Sequence, residues 1–265
     1  MSAQHSPAAQ RILSGHLWLV YVFLYTPILV LMGLSFNKAG MPTVWGGFST
    51  EWYRVLLEND AVLNAAKNTL IVAVVSTILA TLIGTLLAIG VERRQKHSNA
   101  MEALLFAPMI IPDIVLAIAL LSFFTLLNFT LGLHSIILSH VVFNIAFVCA
   151  VVRTRLKNFD FSIIEASIDL GAGEFTTFWR VTLPAIFPGV LAGGLLAFTL
   201  SIDEFIIAYF TSGAGSSSTT LPMQIYSMIR FGVTPEINAM ATIVMLVSFT
   251  LVFISQRIDR GQIGT

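Results

Sequence analysis

Glu165-Ala166-Ser167-Ile168-Asp169-Leu170-Gly171, followed after nine residues by Val181-Thr182-Leu183-Pro184, is the stretch on which the reading of this chain turns. It lies within segment 153–184, which is too polar to span a membrane and too patterned to be disordered. Residues 161–170 alternate apolar and polar side chains at helical spacing and read as a short amphipathic helix. Gly171 and Gly173 stop that helix and turn the chain, because glycine accepts backbone angles closed to other residues. A second short helix is expected over 174–180. Pro184 suits the first turn of the next helix, where its missing N–H costs nothing. Two short helices joined by a glycine elbow form a protrusion shaped to enter a groove on a partner.

The surroundings of that segment are far more apolar. Of the 265 residues, 56% are hydrophobic and 11% charged, against about 45–50% and about 25% in a soluble globular domain. An ordinary soluble enzyme, a disordered chain and a nucleic-acid binder are excluded, and a polytopic membrane protein is left. Six runs are long and apolar enough to span: 17–36, 69–91, 101–127, 133–152, 185–210 and 238–255. The first exceeds the apolar core of a signal peptide, about 7–15 residues, and no small-x-small cleavage site follows, so it is expected to be a retained span. Cys149, the one cysteine, lies in an apolar run and reads as an inert buried thiol.

The net charge is zero, with 14 Lys and Arg against 14 Asp and Glu, so only the placement of charge is informative. With the N-terminus inside, Arg11, Arg93, Arg94, Lys96, Arg153, Arg155, Lys157, Arg180, Arg257 and Arg260 are cytoplasmic. Lys38, Arg54, Lys67 and Arg230 are then outside. Ten against four is the bias of a chain with both termini in the cytoplasm. Segment 153–184 then faces the cytoplasm, while loops 37–68 and 211–237 face out.

The spacing Glu165-Ala166-Ser167, Gly171, Val181-x-Leu183-Pro184 resembles the E-A-A-x3-G-x9-I-x-L-P signature of the membrane subunits of ATP-binding-cassette importers with the six-span type I permease fold. Ser167 stands where that family has Ala, and Val181 where it has Ile. Further runs are similar to the second permease subunit of spermidine/putrescine importers. These are Leu195-Leu196-Ala197-Phe198-Thr199-Leu200-Ser201-Ile202-Asp203-Glu204, Thr219-Thr220-Leu221-Pro222, Ile225-Tyr226-Ser227-Met228, Pro235-Glu236-Ile237-Asn238-Ala239, Trp45-x2-Phe48-x3-Trp52-Tyr53 and Pro112-Asp113-Ile114-Val115. The resemblance implies an all-α integral membrane protein of six transmembrane helices with a cytoplasmic coupling helix. It divides the chain into a peripheral first helix and outer loop (1–64), a five-helix core (65–258) and a cytoplasmic tail (259–265).

The same resemblance makes Glu165, Ala166, Gly171, Glu174, Leu183 and Pro184 the residues that couple to an ATPase. It implies a homologous second permease subunit, two ATP-binding subunits, an external substrate-binding protein and a bacterial inner-membrane location. No cofactor is expected on this chain, ATP and Mg being held by the ATPase subunits, and no nucleic acid is expected. Glu174 also suits a plain N-terminal helix acid.

Asp113, Asp203 and Glu204 are acids inside apolar runs, where each costs about 2.5–3.5 kcal/mol at a helix centre. They suit a cation path, in keeping with a polyamine whose ammonium groups need carboxylates; pairing with helix ends or a partner subunit is the alternative. On one continuous helix Asp203 and Glu204 would point about 100° apart, so at least one would face the path. Ser201 is a candidate beside them, or else bonds to its own helix. Trp45, in the outer loop, offers a ring face to a cation or an interfacial anchor; Trp52 is the weaker candidate. Gly189 and Gly193 form a small-residue face expected to pack on the partner subunit. His140 and Asn144, four apart, suit an interhelical hydrogen bond.

The sequence carries no G-x-x-x-x-G-K-[ST] loop, no H-E-x-x-H helix and no G-x-S-x-G elbow. An integral membrane enzyme would need a convergent catalytic set. A secondary transporter would not need the Glu165–Pro184 spacing. Related importers moving amino-acid derivatives, opines, thiamine-like compounds or aminophosphonates share much of the scaffold.

Overall fold

The computed structural model describes residues 7–40, 44–93, 99–157, 159–215, 217–230, 232 and 234–262. Arg94 and Lys96 of the basic connection, and residues 263–265 of the tail, lie outside the described residues. The elements are helices: α1 (Pro7–Leu34), α2 (Glu51–Glu58), α3 (Asp60–Arg93), α4 (Asn99–Ile110), α5 (Asp113–Leu126), α6 (Leu133–Leu156), α7 (Ser162–Asp169), α8 (Glu174–Thr177), α9 (Leu183–Asp203), α10 (Ile206–Thr211), α11 (Leu221–Arg230) and α12 (Pro235–Gln262). A π-helical turn, Phe178–Thr182, links α8 to α9. Helices satisfy their own backbone groups, which is what apolar surroundings demand.

Four helical stretches are long and apolar enough to cross a membrane: Leu13–Leu34, Asp60–Glu92, Leu133–Leu156 and Glu174–Asp203. The predicted 101–127 span is broken: Glu102–Ile110 and Asp113–Leu126 meet at 112°. Pro112 is the cause. It has extended angles (φ −55°, ψ 136°), has no N–H to continue the ladder, and disfavours helix in the residue before it. The predicted 185–210 span also ends early. α9 stops at Asp203, Glu204 is extended (φ −67°, ψ 116°) and α10 begins at Ile206. The sixth run falls in α12, whose described apolar stretch is Pro235–Val247.

The chain forms two compact units, residues 1–60 with 225–265, and residues 61–224. The last helix thus groups with the first. In the first unit α1 and α2 both pack on α12. Asn59 donates to Glu236 Oε1 at 3.0 Å, tying α2 to α12. Beyond α1, buried Asn37 accepts the Ala39 and Gly46 N–H groups on Oδ1 (3.1 and 2.8 Å) and donates to the Val44 carbonyl. Its own carbonyl takes the Trp52 indole N–H at 2.8 Å.

The second unit is built around α6. Its inner face supplies Val148, Cys149, Val152 and Leu156 to a core shared with Ala80, Ala88 and Ile89 of α3 and with Ile186 and Ala197 of α9. Close approach of these helices depends on glycine. A Cβ on Gly189 would lie 2.8 Å from Arg155 Cβ, and one on Gly193 would lie 3.3 Å from Val148 Cγ1. The small-residue face therefore packs on α6 of the same chain and not on a partner subunit, as had been expected. Gly84 of α3 also sits against Val148, where a Cβ would come within 2.9 Å.

Candidate functional site

α7 begins where Asp160 accepts the Ser162 N–H at 3.0 Å. The Ser162 hydroxyl and N–H together hold the Asp160 carboxyl below the usual carboxylate range. Ile164 is the buried residue of α7, whereas Glu165, Ala166, Ile168 and Leu170 are exposed. At the elbow Gly171 adopts φ +88°, and Ser167 and Thr177 hydroxyls meet at 3.0 Å across it. The family's Ala position is thus used here for a hydrogen bond that closes α7 on α8.

The expected second short helix is not separate. Glu174–Asp203 is one continuous helical stretch, so α8 is the leading end of the predicted fifth span. The π turn is where the registers meet. The Leu183 N–H reaches back five residues to the Phe178 carbonyl, and Pro184 has no N–H to offer Arg180. Such π turns are frequent at functional sites. Pro184 itself stands in the first turn of α9, as expected. The segment has an anchored side and an open side. Phe159, Phe161 and Phe178 pack on the α3–α6–α9 core. Leu170, Phe175 and Trp179 are 89%, 77% and 53% exposed. Between the two arms lies a groove of about 440 Å³ with Ala166, Leu170, Arg180 and Val181 among its lining residues.

Gly171 gives a sharp test. A Cβ there meets nothing within 4 Å, so bulk is tolerated and only the left-handed backbone excludes side chains. Gly171→Val should destabilise the elbow by about 1–2 kcal/mol, while Gly171→Asn, tolerated in this region, costs less. Co-purification of any docking partner with the two variants reads the difference. Equal retention would show that the elbow does not set docking.

Asp113, Asp203 and Glu204 all fall at helix breaks. Asp113 is the first residue of α5, Asp203 the last of α9, and Glu204 the extended residue after it. α10 packs on α5, with Ile207 among Leu116, Ala117, Leu120 and Phe124. That packing brings the break before α5, with Asp113, towards the corner that carries Asp203 and Glu204. The continuous-helix geometry expected for Asp203 and Glu204 is replaced by a corner. Asp203 is exposed. Glu204 is half-buried and its Oε1 accepts the Ile207 N–H at 2.7 Å, capping α10.

Ser201 does not join them. It is 2% exposed, and its hydroxyl lies 2.7 Å from His140 Nδ1 and 3.1 Å from Ser76 Oγ. It is a core link between α9, α6 and α3, with His140 making the interhelical bond expected of it. Ser76 was missed because nothing local marks one serine in an apolar run. Trp45 is 59% exposed and belongs to the first unit. Trp52 is held by Asn37.

The chain matches the family described as "Binding-protein-dependent transport system inner membrane component" over residues 80–260. It is 44% identical over 249 residues to the spermidine/putrescine transport system permease protein PotC of Escherichia coli (strain K12), covering 94% of each chain. It is 40% identical to the putrescine transport system permease protein PotI of the same strain, covering 93% of this chain and 92% of the relative. Among solved structures, a bacterial ABC transporter involved in alginate import has a similar chain (TM-score 0.73, 12% identity, 98% of this chain and 99% of that one). The MetNI methionine ABC transporter has another (TM-score 0.61, 18% identity, 81% and 99%). At such identities the likeness carries the fold, the type I importer permease fold expected from the signature. With about two thirds of its length matched, the chain belongs to the inner membrane components of binding-protein-dependent transport systems.

Proposed function

We propose that this chain is the non-catalytic permease subunit of an ATP-driven importer that moves a polyamine of the putrescine or spermidine class by alternating access. The observation that carries the solute class is the placement of Asp113, Asp203 and Glu204 at two helix breaks that the packing of α10 on α5 brings towards each other. Broken helices at midplane sites are how many transporters present polar groups to a solute. Three carboxylates there suit a cation with more than one ammonium, and the relatives' names point the same way.

The complex would hold a second, homologous permease subunit, two ATP-binding subunits carrying ATP and Mg, and an external binding protein. The exposed Leu170, Phe175 and Trp179, on a segment anchored by buried phenylalanines, suit docking on the ATP-binding subunit. Displacing α8 would act directly on α9, because the two are one helical stretch. The ten-to-four charge bias supports cytoplasmic termini. Trp45, exposed in the outer loop under that orientation, would meet the solute first.

The test is uptake of labelled putrescine and spermidine, against amino acids, by the reconstituted complex with and without ATP. Uptake that ignores ATP, or an anionic solute, would overturn the reading. Orientation is checked with cysteines at Ser217 and Thr176, both exposed, since native Cys149 is buried. In intact cells Ser217→Cys should react with an impermeant maleimide and Thr176→Cys should not.

A further inference from the structure

One guanidinium holds three helix ends together beside the α7–α8 segment. Arg153, in the last turn of α6, donates from Nη2 to Glu102 Oε1 at 2.9 Å and from Nε to Glu92 Oε2 at 3.3 Å. Glu92 stands in the last turn of α3 and Glu102 in the first turn of α4. The guanidinium carbon lies 5.6 Å from the centroid of the Phe106 ring, a cation–π contact. The Arg153 and Glu92 side chains are 11% and 19% exposed. Among the described residues, these are the ion pairs that join different helices.

The place of this clasp matters more than its strength. Three residues beyond Arg153, Leu156 is fully buried in the core onto which Phe159, Phe161 and Phe178 pack. Leu105 and Phe106 of α4 pack on the same core. The segment with the exposed apolar arm is thus seated on the ends of α3, α4 and α6, and apolar contacts alone allow those ends to slide. A forked, partly desolvated ion triad does not. Removing its centre unties the three ends, while Glu92 (19% exposed) and the more open Glu102 (36% exposed) stay within reach of water, so the loss falls on the tie more than on folding. α4 in turn leads through the Pro112 break to Asp113.

We propose that Arg153 is a positioning residue for transport. The Glu92–Arg153–Glu102 clasp makes the ends of α3, α4 and α6 move as one body with the α7–α8 segment, so that a displacement of that segment reaches the broken helix carrying Asp113. This rests on the importer reading above. Neither glutamate nor the arginine touches the acid cluster, so the clasp acts on coupling and not on solute contact.

The experiment compares Arg153→Gln, Arg153→Lys and Glu102→Gln in the reconstituted complex. It measures assembled complex, ATP hydrolysis and solute taken up per ATP hydrolysed. Arg153→Gln should assemble and hydrolyse ATP near the parent rate, while uptake per ATP falls about tenfold, within the span of typical coupling energies. Lys keeps the charge but loses the fork, so Arg153→Lys should recover part of the ratio. Glu102→Gln, which leaves the Glu92 pair in place, should lower it less than Arg153→Gln. Unchanged uptake per ATP in Arg153→Gln would overturn the proposal. So would a loss of assembled complex in Arg153→Gln and Glu102→Gln that accounts for all lost uptake, which would make the triad a folding element. A parent complex whose uptake ignores ATP fails the importer reading instead, before any variant is compared.

Discussion

Asp203→Asn and Asp113→Asn should each reduce polyamine uptake by roughly ten- to hundred-fold while leaving the protein as stable as the parent or slightly more so. The first half follows from the solute. A lost ammonium–carboxylate contact in a partly desolvated path is worth about 1.5–3 kcal/mol, as for other charged hydrogen bonds. The second half follows from the geometry. Asp203 is the last residue of α9, where the carbonyl end of the helix disfavours negative charge. Glu204 is the next residue in the chain, and the packing of α10 on α5 brings Asp113 towards the same corner. Such an arrangement is unfavourable without a cation, so neutralising one acid relieves repulsion. Glu204→Gln should do less to uptake, because Gln keeps an acceptor for the Ile207 N–H and so keeps the α10 cap. Glu204→Ala removes that acceptor and should cost about 1 kcal/mol of stability, as lost caps do. Uptake assays paired with thermal melts of the purified complex separate the two effects. Asn variants that melt early and transport in proportion to what remains folded would make these acids structural.

Gly84→Leu should prevent stable folding of the second unit. A Cβ at Gly84 would lie 2.9 Å from both Cβ and Cγ1 of Val148 and 3.0 Å from the Ile145 carbonyl oxygen. Real Cβ atoms do not approach so closely, and backbone on the α6 side cannot rotate away. Val148 also meets Gly193 of α9, so a shift of α6 disturbs a second close contact. Overpacking a dense core costs about 1–3 kcal/mol for added methylenes, and here it strikes the junction of three helices. The control is Gly90→Leu on the same helix, where a Cβ meets nothing within 4 Å. The yield of monodisperse protein in mild detergent should collapse for Gly84→Leu and hold for Gly90→Leu. Equal yields would show that close approach at Gly84 does not hold α3 against α6.

Local chemistry made part of this legible. Apolar runs flanked by polar connections mark helices that cross a membrane, because hydrocarbon leaves the backbone no other partner. Gly171 and Pro184 announce a turn and a helix start through properties of their own backbones, and both stand where the spacing put them. Acids in apolar runs stand out because their burial is costly, so Asp113, Asp203 and Glu204 were visible before any contact was known.

What the sequence hid depends on side chains distant along the chain. Hydropathy passes through Pro112 and Glu204 unchanged, since the residues on either side are equally apolar, and so it joined four helical pieces into two spans. Only the packing of α10 on α5 brings the acids at those breaks towards each other. Ser201 sits two residues before Asp203, yet the helix turns it inward to His140 and Ser76, 61 and 125 residues away. Gly189 and Gly193 declared a close approach by their size, but not that α6 of the same chain supplies the other surface. Arg153 looked like one more cytoplasmic charge until folding set Glu92 and Glu102 against it. Backbone character and burial cost are carried by single residues and read directly. The partner of a buried polar or small residue is chosen by the whole arrangement of helices, and only the tertiary structure states it.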